Sequence, residues 1–169
     1  VTPVSGSDYY YVNGVKNIWI YLSFDAAGNT TRYYTVLYHT NGTTVASTAD
    51  TRYVSGVRTA YYYTTFDTAG VMTRSYTAVY HPDGQQIKTY SNYLYVGGKK
   101  TTLGQVTYSA TGVIERIYTL TYGPDGATPL TGSDYYYVNG TKNKWIYQTF
   151  DGAGKTARYF VVTYGVNGT

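Results

Sequence analysis

The side chains best able to do chemistry here are two histidines, one glutamate and eight aspartates, and no cysteine joins them. His39 and His81 occupy the same place in successive copies of a repeat, just before a turn, and Gly123 and Gly165 stand there later. Two such turn-flanking imidazoles supply neither a nucleophile–base pair nor a metal cluster. Asp25, Asp67, Asp83, Asp125 and Asp151 lie in turn sequences, where a carboxylate bonds its own backbone. Asp8, Asp50 and Asp134 share one strand position, with Asn92 completing the set. A calcium ion needs several oxygens converging on one point, and residues spread three strands apart do not converge. No glycine-rich phosphate loop leads into a helix. The expectation is a non-catalytic chain without metal or cofactor. What remains is ring chemistry, from 25 tyrosines, four phenylalanines and two tryptophans. Trp19, Tyr21, Tyr63, Trp145 and Tyr147 are candidates to stack on sugar rings or other flat ligands. The competing expectation is that they pack on one another across strands.

The elements that would carry these rings are set by a glycine ladder. Glycine recurs at every fourteenth residue: Gly14, Gly28, Gly42, Gly56, Gly70, Gly84, Gly98, Gly112, Gly126, Gly140, Gly154 and Gly168. A unit of that length is one strand of about 10 residues plus a tight turn. The turns fall into three classes that repeat every 42 residues. Val12-Asn13-Gly14 exemplifies the first, Asp25-Ala26-Ala27-Gly28 the second, and Thr40-Asn41-Gly42 or Pro82-Asp83-Gly84 the third. Asn-Gly and Asp-Gly tolerate the positive φ of tight hairpins, Pro-Asp-Gly suits a type I turn with a bulge, and Asp-x-x-Gly is a loop capped by its aspartate. Four blocks, 1–42, 43–84, 85–126 and 127–169, form one array without insertion or deletion, and residues 131–169 nearly restate 5–43.

Hairpin signals predict an all-β fold, an antiparallel meander of about twelve strands in one extended sheet. A parallel β-solenoid with a 42-residue coil is the rival. It would stack Arg32, Arg74, Arg116 and Arg158 in one column about 4.8 Å apart, with Lys16, Arg58, Lys100 and Lys142 in another, and like charges so placed repel. A closed 12-strand barrel is the third architecture. Even positions read as the more apolar (Ile20, Leu22 and Phe24; Tyr34, Val36 and Tyr38), yet Trp19, Tyr21, Tyr61, Tyr63, Trp145 and Tyr147 are odd. Aromatics on both faces suggest a thin or single-layer sheet, or one packed on another copy. Gly6, Gly104 and Gly132, inside strands, fit bulges or places covered by neighbouring rings.

A net charge of +4 from few charges reads as scattered solvated Lys and Arg, so nucleic acid is not expected as a partner. No apolar run approaches the 18 or more residues of a spanning helix, and a transmembrane chain is not expected. No signal peptide is visible and the chain opens mid-repeat at Val1, which suggests a segment of something longer. Asn29, Asn41, Asn139 and Asn167 each begin an Asn-x-Thr sequon at or beside a turn, so all four are candidate glycosylation positions.

Phe24-Asp25-Ala26-Ala27-Gly28-Asn29 followed by Thr30-Thr31-Arg32 resembles the YD (Rhs-type) repeats of large bacterial surface and toxin-shell proteins. Phe66-Asp67-Thr68-Ala69-Gly70 and Phe150-Asp151-Gly152-Ala153-Gly154 carry the same short pattern. The Tyr-Tyr-Val-Asn-Gly and Tyr-His-Pro-Asp-Gly turns are similar to hairpins of MORN-like repeat proteins and of bacterial cell-wall-binding repeats. The strict 14-residue spacing departs from all three, and the Gly-Trp motifs of the wall-binding families are missing. The resemblance implies an extended extracellular β-scaffold of microbial origin. The sequence therefore leads to a structural segment of a surface filament, fibre or adhesin stalk, outside the cell, extending by self-association or as part of a longer repeat chain. The alternative is a carbohydrate- or surface-binding module that uses exposed Tyr and Trp.

Overall fold

The computed structural model describes residues 4–168. Twelve strands follow one another in chain order as an antiparallel meander, and the sheet is not closed. Among the described residues there is no helix. Sequence neighbours pair antiparallel throughout each unit, so the 42-residue copies do not stack and the solenoid is excluded along with the barrel. By contacts the chain divides into two compact units, Val1–Gln85 and Gln86–Thr169, each holding two 42-residue blocks.

The first unit runs β1 (Ser5–Val12), β2 (Val15–Phe24), β3 (Thr30–Tyr38), β4 (Val45–Val54), β5 (Val57–Phe66) and β6 (Met72–Tyr80). The second runs β7 (Ile87–Val96), β8 (Lys99–Tyr108), β9 (Ile114–Tyr122), β10 (Pro129–Val138), β11 (Thr141–Phe150) and β12 (Thr156–Thr163). Each unit is a single layer, and no large side chain among the described residues is fully buried. The buried apolar residues are few and scattered: Val36, Ala78, Leu103, Val106 and Ile146.

The turn classes take the forms their residues dictate. At Asn13-Gly14 both residues have positive φ, 51° and 78°, with Val12 opposite Val15, which is a two-residue type I′ hairpin. In the second class Asp25 Oδ1 accepts the backbone N–H groups of Ala27 at 2.9 Å and Asn29 at 2.8 Å. Asp67 and Asp151 repeat that cap, and Ser109 substitutes for the aspartate through its hydroxyl. In the third class Asn41 and Asp125 play the same part.

Position parity does not mark a face. Trp19, on β2, stands opposite Val36, on β3, so odd and even exchange across the second-class turn. Followed strand to strand, Trp19, Tyr34 and Val36 share a face with Asp50 and Tyr62, whereas their block-two counterparts Tyr61, Tyr76 and Ala78 lie on the other face. The same inversion holds inside the second unit. Leu103, Tyr118 and Leu120 share one face with Asp134 and Ile146, and Trp145 and Phe160 take the opposite one. The cause is the odd strand count of the repeat. After three strands the chain points the other way while still advancing sideways, and for L-residues that motion is a half-turn about the direction of advance, which exchanges the faces. The even positions that read as the more apolar in the sequence are thus divided between two alternating faces.

Within each unit the hairpins shift register beside their turns, as between Tyr10 and Tyr11, Ser23 and Phe24, and Leu37 and Tyr38, and not at the interior glycines. Gly132 is instead roofed by neighbours, since a Cβ there would meet Leu120 Cδ1 at 3.4 Å and Phe150 Cε2 at 3.6 Å. Gly6 and Gly104 have open space at that position.

Candidate functional site

The aromatic residues form repeat-related clusters. Trp19 stacks on Tyr9 with ring centroids 5.9 Å apart, meets Tyr21 at 6.3 Å and makes a T-shaped contact with Tyr34 at 5.7 Å. Trp145 repeats this with Tyr135 at 5.8 Å, Tyr147 at 6.0 Å and Phe160 at 6.0 Å. On the other face of the first unit, Tyr61 stacks on Tyr63 at 6.4 Å and meets Tyr76 at 6.2 Å. All five candidate stacking residues, Trp19, Tyr21, Tyr63, Trp145 and Tyr147, are half-buried. Trp19 and Tyr21 come together, as do Trp145 and Tyr147, while Tyr63 lies on the face opposite Trp19. The tryptophan faces are turned to other rings, as edge and offset stacking favours. Cations sit over several rings as well, with Arg32 4.7 Å from Tyr34 and Arg58 4.2 Å from Tyr80.

A second constellation is ionic. Arg32 Nε and one terminal nitrogen each donate to Asp50 at 2.9 Å, a bidentate clasp from β3 to β4. Arg52 adds bonds of 3.0 and 2.8 Å to the same carboxylate. Arg32 and Arg52 stand directly opposite each other, and Asp50 between them offsets their repulsion. In the second unit Arg116 clasps Asp134 at 2.8 and 2.7 Å. These carboxylates are buried against the sheet, and each raises the pKa of its clasping arginine above the ordinary value through hydrogen bonding. Sequence reasoning missed this pair. Its signal was present as arginine followed eighteen residues later by aspartate, at 32 and 50 and again at 116 and 134.

The third feature is the pair of outer strands. β1 is exposed along its whole length and β12 at all but one residue. Tyr9, Tyr10, Tyr11 and Val12 are 46–59% exposed, and on β12 Tyr159, Phe160 and Val161 are 57%, 45% and 43% exposed. The nearly identical β10 has Tyr135, Tyr136 and Tyr137 half-buried, because β9 and β11 flank it. Each outer strand therefore offers an unpaired backbone row framed by apolar rings.

The remaining candidates lie in turns. Asn29, Asn41, Asn139 and Asn167 are all exposed. The amide nitrogens of Asn29 and Asn41 donate within their own turns, to Asp25 and to Thr44; Thr169, which completes the fourth sequon, lies outside the described residues. His39 Nε2 is 3.1 Å from the Asp67 carbonyl and, as its donor, ties one turn to the next along the rim. Among the described residues no group of acidic, histidine or cysteine side chains could hold a metal ion, and no helix is long and apolar enough to cross a membrane, which says nothing about a β-barrel.

No protein-family model matches the chain, and no curated relative matches it. Among solved structures it is similar to a protein of unknown function from Bacteroides fragilis, at 7% identity and a TM-score of 0.21, over 98% of this chain and 95% of the other. That likeness is too slight to inform the fold or the function.

Proposed function

We propose that this chain is a non-catalytic, extracellular structural repeat, a segment of a surface filament, fibre or adhesin stalk whose sheet grows by edge-to-edge addition. The observation that carries the reading is the state of β1 and β12: eight-residue outer strands, exposed and ringed with apolar side chains, each with a single charge, Asp8 or Arg158, and without a proline within the strand. Addition that does not close makes a filament. A cysteine-free, tyrosine-rich composition and the resemblance to bacterial surface repeats support a place outside the cell. Negative-stain electron microscopy with sedimentation of the purified chain tests the reading. Fibres or a concentration-dependent ladder of sizes are expected. A monodisperse monomer across the accessible concentration range overturns it.

A further inference from the structure

We propose that the outer strand β12 receives β1 of a second copy in the register that β9 uses for β10, with Arg158 clasping Asp8 of that copy. The proposal rests on the filament reading above and specifies its contact.

The strongest observation is a duplicated sequence in two environments. Gly6–Val12 on β1 repeats Gly132–Val138 on β10 letter for letter. On β10, Asp134 is 7% exposed and held by Arg116. On β1 the matching Asp8 is exposed and bonds its own strand, accepting from the Tyr9 N–H at 2.8 Å and from the Tyr10 side chain. β1 is thus a strand written for a neighbour it lacks within the described residues.

β12 is the matching acceptor. Arg158 stands where β9 has Arg116, Phe160 where it has Tyr118, and Val162 where it has Leu120. Arg158 is exposed and has no salt bridge among the described residues. Both internal clasps share one geometry: the arginine donates across eighteen residues, and the residue two beyond it stands opposite the aspartate, Tyr34 at Asp50 and Tyr118 at Asp134. Carried over, Phe160 faces Asp8, Val162 faces Gly6 and Arg158 faces Tyr10. Gly6 has open space where Gly132 is filled by Leu120, which leaves a seat for Val162.

Charge fixes the polarity of addition. β1 carries an anion and no cation, and β12 a cation and no anion. Two β1 strands would bring aspartates together and two β12 strands arginines, so unlike edges meet. The desolvated backbone row and ring contacts supply affinity, and the clasp supplies register.

The chain lacks cysteine, so the register is readable by disulfide trapping. Ser7 and Val161 would lie opposite each other, as Ser133 and Thr119 do. Mixing full-length Ser7→Cys with full-length Val161→Cys under mild oxidant is expected to give the mixed disulfide in large excess over either homodimer. Arg158→Asp on the Val161→Cys chain, or Asp8→Arg on the Ser7→Cys chain, is expected to slow trapping at least tenfold. Combining both reversals is expected to restore it. Thermal melts of each variant check that the fold is kept, as expected for changes on exposed edge strands. Growth in light scattering with homodimer trapping, or with trapping insensitive to the reversals, overturns the register and the clasp while leaving the filament reading intact. No growth and no trapping overturns both.

Discussion

Arg32 and Asp50 stand on adjacent strands, and the guanidinium reaches both carboxylate oxygens at 2.9 Å. Arg52 shares that carboxylate, whose side chain is 12% exposed. Asp50→Ala leaves two arginines facing each other and is expected to cost about 2 kcal/mol, between the values for exposed and buried pairs. Asp50→Asn is expected to cost about half that, since Asn92 serves at this position in the third block and an amide oxygen still accepts one bond. Urea unfolding midpoints of the three chains provide the check.

Gly14 and Gly42 both have positive φ, 78° and 68°, but different surroundings. A Cβ on Gly14 meets nothing within 4 Å, while one on Gly42 comes 2.6 Å from Val15 Cγ1 and 3.1 Å from the Lys16 backbone nitrogen. Gly14→Ala is expected to cost about 1 kcal/mol from backbone strain alone. Gly42→Ala adds overpacking and is expected to cost about 3 kcal/mol. Comparable thermal shifts for the two variants would contradict the close approach at the third-class turn.

Asp125 caps its turn by accepting the Thr128 hydroxyl and the backbone N–H groups of Ala127 and Thr128, which lowers its carboxyl pKa to about 2. A folded-state pKa below the ordinary 3.8 means stabilisation that is complete above that value and lost as pH falls through the folded one. The gap in melting temperature between the parent and Asp125→Ala is therefore expected to be constant near neutrality and to shrink between about pH 4 and pH 2. A gap that persists to pH 2 would show that the carboxylate is not what the turn uses.

Trp145 Nε1 donates to Ser133 Oγ at 2.7 Å, whereas Trp19 Nε1 is buried without a partner among the described residues. Replacement by phenylalanine removes a satisfied hydrogen bond at one site and an unsatisfied donor at the other. Trp145→Phe is expected to be the more costly by about 1 kcal/mol, measured by chemical denaturation.

The glycine ladder made strands and turns legible because each turn glycine is demanded by local backbone geometry, which sequence records residue by residue. The aspartate caps at Asp25, Asp67 and Asp151 were legible for the same reason. The clasp between Arg32 and Asp50 was not, because it depends on which residues of two strands stand level, and the bulge between Leu37 and Tyr38 shifts that alignment. The faces were misread for a related reason: odd and even exchange across the second-class turn, so Trp19 and Tyr61 share a parity and a repeat position yet point to opposite sides. Trp19, Tyr21 and Tyr63 stood out in the sequence as aromatics, while their engagement with Tyr9, Tyr34 and Tyr61 needed the register.

A repeat of three strands gives a sheet with no front and no back. Whatever the Trp19 cluster presents upward, the Tyr61 cluster presents downward in the same unit, and a substitution copied by duplication of a 42-residue block arrives on both sides at once. A surface or polymer that recognises one side would find a second, similar site on the reverse, so a single unit would bridge two such partners as a cross-linker, without the avidity that two sites on one side would give. Specialising one side alone would require divergence between neighbouring blocks, as between Trp19 and Tyr61, with the 84-residue pair becoming the true unit of inheritance.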